Sequence, residues 1–88
     1  MIGIIKLRGS EITLGTSANT VSNANMTRVL NTSDIVATLI THKDAGGNTI
    51  GTVTIGTNSV AFIEKALTDT LQSNAASGVV AAPIAYRA

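Results

Sequence analysis

The sequence predicts an all-β fold: a small β-sandwich or flattened β-barrel of about seven short antiparallel strands, with at most one helical turn. Three observations carry that expectation. Apolar and β-branched residues alternate with polar ones in short runs. Gly, Asn, Asp and Ser clusters punctuate those runs, and no stretch sustains a helical period. The densest such region is Asp34 to Lys65, which reads as three strands joined by two turns and is expected to supply the central sheet.

In order, Ile2 to Arg8 places Ile5 and Leu7 on one face and Lys6 and Arg8 on the other, the pattern of a half-buried strand. Glu11 to Leu14 repeats it through Ile12 and Leu14. Gly15 to Asn25 is dominated by Ser, Thr and Asn, a loop with one short strand at Thr20 to Ser22. Met26 to Asn31 resumes the alternation, and Asn31 to Asp34 forms a turn whose side chains can bond their own backbone.

Ile35 to His42 has little polar interruption, with Ile35, Ala37 and Leu39 on one side and Val36 and Ile40 on the other. That pattern suits a central strand covered on both faces. Asp44, Gly46, Gly47 and Asn48 make an exposed hairpin, because glycine reaches positive φ without steric cost. Thr49 to Ile55 points Val53 and Ile55 inward and Thr52 and Thr54 outward. Ile50 has the wrong parity, which marks a bulge at Gly51. After Gly56 to Asn58, Ser59 to Lys65 sets Val60 and Phe62 on one face and Ile63 on the other. Ala66 to Asn74 breaks the rhythm and reads as a turn or one helical turn with Leu67 and Leu71 in a stripe. Ser73 to Gly78 is a linker. Val79 to Arg87 is the last strand, with Val80, Ala82, Ile84 and Tyr86 on one face. Pro83 lacks an N–H, which places this strand at a sheet edge or its middle at a bulge.

Composition bounds the function. Residues 1–88 make a single domain, and a chain of this size buries only roughly 60–65% of its unfolded surface, so docking on a partner would help it. The absence of cysteine excludes disulfides, thiol nucleophiles and cysteine-ligated metals. Hydrophobic residues are 44% of the chain and aromatics 2%, so the core is built from small aliphatics, with Phe62 and Tyr86 as the large plates. A net charge of +1 with 12% charged residues argues against nucleic-acid binding. The apolar run in MIGIIKLRG is too short for a signal peptide, and none approaches the roughly 20 residues of a membrane span.

No chemistry can be assembled. His42 is the sole histidine and reads as a hairpin-flanking residue without a nucleophile. Glu64 and Asp69 can approach across a turn, yet no aromatic sugar platform accompanies them. Asp44 and Asn48 lack the alternating acidic ligands of a calcium loop, and Gly46-Gly47 precedes no helix that would cradle a phosphate. The expectation is a non-enzymatic protein with no cofactor and no metal. Arg28, among Met26 and Leu30, is expected either to snorkel to the edge or to meet a carboxylate such as Glu64 or Asp69, with structural pairing favoured over partner binding. Thr38, Thr41, Thr49, Thr52 and Thr54 make uncharged stripes that desolvate more cheaply than lysine or glutamate and suit protein contact.

Three runs carry a resemblance: Thr27-Arg28-Val29-Leu30-Asn31; Ile40 to Asp44 with Gly46 to Gly51; and Val60 to Lys65 followed by Thr68-Asp69-Thr70. With these, roughly residues 1–87 resemble small virion structural proteins of tailed bacteriophages, particularly those of marine cyanobacteria. Where that pattern carries a proline between Lys65 and the Thr-Asp-Thr triplet, this chain has Ala66 and Leu67. The resemblance implies a capsid decoration, or cement, protein on the outside of the phage head, made in the host bacterial cytoplasm. Its implied partner is the major capsid protein of the shell, with self-association into a homo-oligomer and no nucleic acid or membrane. The alternative is a tail, neck or fibre module binding a host-surface glycan or another tail protein. Expected contact residues are Ile2, Ile4, Lys6, Arg28, Val80, Ile84 and Tyr86, since either terminal strand can add to a neighbour's sheet.

Overall fold

The structure, a computed structural model, describes residues 4–87, with side chains over 5–85. Eight strands form: β1 (Ile4–Leu7), β2 (Ile12–Thr13), β3 (Met26–Asn31), β4 (Thr38–Lys43), β5 (Thr49–Ile55), β6 (Val60–Glu64), β7 (Thr70–Ser73) and β8 (Val79–Arg87). All pairings are antiparallel. One sheet runs β1-β8-β3-β6, with β2 also on β8, and the other runs β5-β4-β7. The result is a small β-sandwich-like arrangement with no helix among the described residues. Its shortest extent, 22 Å, accommodates two sheets packed about 10 Å apart together with their outward side chains.

The period-2 pattern sets the faces. In β3, Thr27, Val29 and Asn31 are buried and Met26, Arg28 and Leu30 are half-buried on the outside. Val29, Val79 and Ala81 from one sheet meet Ile40, Ile55 and Leu71 from the other, and Leu14 and Val21 close the ends of this core. Polar side chains inside it are all bonded. The Asn31 amide donates to the Val36 carbonyl (2.9 Å) and the Ile55 carbonyl (3.2 Å), and its oxygen accepts the Ser33 N–H (3.0 Å), pinning one sheet to the other. Thr38 bonds the Ser73 hydroxyl (3.0 Å) and the Asn74 side chain (2.9 Å).

Five expectations are corrected. First, Asp34 to Lys65 is not one sheet. β5 ends in a turn that crosses the sandwich, with Asn58 at φ 53° and its N–H on the Ser33 carbonyl, and β6 pairs with β3 instead. Second, β4 starts only at Thr38, leaving Ile35 and Val36 exposed at 83% and 62%. Third, the segment after Ala66 is a turn followed by a further strand, β7. Leu71 is fully buried and Leu67 is exposed, which is strand-and-turn behaviour, not a helical stripe. Fourth, Thr20 to Ser22 is no strand. Val21, Ser22 and Asn23 all have φ between 52° and 57°, a tight left-handed turn that drives Val21 into the core.

Fifth, β8 is not an edge: β1 and β2 flank it on one side and β3 on the other. Proline is tolerated there for a local reason. The Pro83 carbonyl accepts the Arg8 N–H, so the backbone of Pro83 points toward β1 and β2, into the break between them. No carbonyl of a continuous ladder is left waiting for the missing N–H. The chain crosses this break at Gly9, where a Cβ would sit 2.9 Å from the Pro83 ring.

The hairpin and the bulge are as expected. Asp44 accepts the N–H groups of Gly46 and Asn48 (both 2.9 Å), Gly47 takes φ 86°, and the β4–β5 register shifts beside His42 so that Ile50 is the extra residue.

Candidate interaction surface

The contact residues expected from the sequence do not form one surface. Ile2 lies outside the described residues, as do the side chains of Ile4 and Tyr86. Lys6 is exposed on β1, whose outer side is a sheet edge, and Leu7 beside it is 70% exposed, where inward packing was expected. Val80 is half-buried on the outer face of the larger sheet. Ile84 is fully buried and unavailable to a partner, and strands occupy both edges of β8. Arg28 pairs with Glu11 (3.8 Å), not with Glu64 or Asp69. Both groups are substantially exposed, so the pair contributes little to stability. Asp44, Gly46, Gly47 and Asn48 form the outward hairpin tip, and Asp44 is held below its usual 3.8, first by the Asn48 N–H and then by its side chain and the Gly46 and Gly47 N–H groups.

Asp69 instead meets His42, at 2.9 Å from Nε2, and accepts the Ala66 N–H at 3.2 Å. Beside it Lys65 is buried, its ammonium donating to the carbonyls of Ala24 (2.6 Å), Ala66 (3.3 Å) and Leu67 (3.4 Å). These contacts fasten the turn after β6 to the loop before β3 and to β4. They hold two loops in place. No group of three His, Cys, Asp or Glu suited to a metal occurs among the described residues.

The open feature of the molecule lies where the sequence reading expected a closed hairpin. Because β5 and β6 belong to different sheets, each leaves an unpaired edge, and between them opens a groove of about 370 Å³ with Ile40 and His42 at its floor. Val53 and Ile63 line its walls and Glu64 its rim. Val53 points inward by register, opposite Ile40, yet stays 42% exposed. The groove could not be read from the sequence, since it depends on which sheet β6 joins. Further apolar exposure is spread over Ile35, Val36, Ile50, Val60 and Leu67.

With this geometry in hand, comparison with known proteins adds no relative: no family model, no curated protein and no solved structure matches the chain.

Proposed function

We propose that this chain is a non-enzymatic virion structural protein, a decoration protein that docks on the outside of a tailed-phage head, contacts the major capsid protein and stabilises the shell. The observation that carries the reading is the character of its surface. Large apolar side chains at Leu7, Ile35, Val36, Val60 and Leu67 stand exposed on a chain with only 12% charged residues. Such a surface desolvates cheaply on contact with protein. The resemblance of the Thr27–Asn31, Ile40–Asp44, Gly46–Gly51, Val60–Lys65 and Thr68–Thr70 runs to virion proteins supplies the partner, and the free edge of β1 supplies one means of attachment. Many copies on a symmetric shell make weak individual contacts sufficient.

Quantitative mass spectrometry of purified particles tests it. The expected result is a copy number close to a simple fraction of the shell protein. Absence from particles overturns the reading, and a few copies per particle moves the chain to the tail or neck.

A further inference from the structure

We propose that two copies of this chain pair through the free edge of β5, antiparallel and two-fold symmetric about Val53. This makes specific the self-association expected from the sequence, but it stands on the strand edge alone and not on the virion assignment.

The backbone directions follow from one bond. The Leu39 carbonyl accepts the Asn74 N–H on the β7 side, so alternation turns Thr38, Ile40 and His42 toward β5. Their partners Ile55, Val53 and Gly51 reciprocate, which leaves the N–H and C=O of Thr52 and Thr54 on the open edge. An antiparallel neighbour centred on Val53 sets Thr52 opposite Thr54 of the second copy and Thr54 opposite its Thr52. All those groups are then satisfied by reciprocal N–H···O=C bonds. Val53 faces its own copy as a non-hydrogen-bonded pair, the arrangement with the closest side-chain approach. Its exposed inward-facing methyls are thereby covered.

The occupant is a second copy because the edge matches itself. Thr52-Val53-Thr54 reads the same in both directions, as a two-fold interface requires. From Thr49 to Ile55 there is no charge and no proline, so a copy meets no like charge, and the one guard of this edge, the bulge at Ile50, lies outside the Thr52–Thr54 pairing. The remaining described edges differ: β1 carries Lys6, β6 carries Glu64, and the outer side of β7 is already bonded to the Gly15–Asn19 loop through Leu71 and Ser73. Pairing joins the two three-stranded sheets into one continuous sheet.

Sedimentation equilibrium of the isolated chain tests this without any particle, so its failure is separable from that of the virion reading. The expected result is a species of twice the 8.9 kDa chain mass at micromolar concentration. Thr54→Pro removes an N–H that the monomer does not use, and Val53→Lys sets two ammonium groups face to face. Each is expected to weaken the dimer at least about tenfold while keeping the far-ultraviolet strand signal. Because the chain has no cysteine, Val53→Cys is expected to oxidise to a disulfide-linked dimer, whereas Val60→Cys on the outer face of β6 is not. Should Val53→Lys fail to fold, Thr54→Pro and the crosslink decide. A monomeric wild type, a larger oligomer, or a dimer that Val53→Cys does not crosslink overturns the proposal.

Discussion

Asn31 and Lys65 are the side chains on which most depends, because each satisfies several buried backbone groups at once. Asn31→Ala strips partners from the Val36 and Ile55 carbonyls and the Ser33 N–H, and is expected to cost about 1–3 kcal/mol in urea unfolding. Burial pushes the Lys65 ammonium below its usual 10.5, against the pull of the Asp69 carboxylate in the other direction. Between the folded value and 10.5 the unfolded chain binds the extra proton, so stability contributed at this position rises with pH across that window. Lys65→Met is expected to remove that rise, measured as a flatter dependence of the unfolding midpoint on alkaline pH. Val21, Ser22 and Asn23 sit in the left-handed region, which costs an ordinary residue roughly 1–2 kcal/mol. Ser22 is exposed, so Ser22→Gly relieves that strain without losing core contacts. A gain of up to about 1 kcal/mol in thermal unfolding is the expected outcome after the entropy of glycine in the unfolded chain is counted.

Strand existence was legible where alternation was strong. β3, β5, β6 and β8 lie where the period-2 pattern puts them, and the Asp44–Asn48 hairpin and the irregularity at Ile50-Gly51 follow from turn chemistry and parity. Strand membership was not legible. Leu67 and Leu71 are spaced for a helix, but pairing with β4 gives Leu71 a sheet position and full burial, which one isolated helical turn cannot offer. Pro83 pointed to an edge or to a bulge in mid-strand, and the break between β1 and β2 made a central position possible. That break depends on a close crossing. Gly9→Ala presses a methyl on the buried Pro83 ring, and a loss of about 1–3 kcal/mol in the unfolding midpoint is expected, whereas the same change at the open Gly51 should show no such clash.

The whole molecule is a small sandwich closed on one side by polar fastenings and open along β5 and β6, a shape that favours association. If the β5 pairing forms, only the folded chain takes part in it, and the melting temperature is expected to rise with chain concentration in the wild type but not in Thr54→Pro. Differential scanning calorimetry over a wide dilution series measures this. The candidate surface was partly foreseeable: the uncharged threonines of β5 were visible as a stripe made for contact, while the groove beside them was not. By itself the sequence determined the all-β class, most strand positions, the hairpin tip and the small aliphatic character of the core, because these follow from local alternation, turn residues and composition, while Phe62, expected in that core, is 46% exposed. Only the tertiary structure decided that β6 joins β3 rather than β5, that β8 is central, and that His42, Lys65 and Asp69 meet. Those outcomes rest on long-range pairing, in which a strand's partner is set by the packing of both sheets together and leaves no mark in the residues of the strand alone.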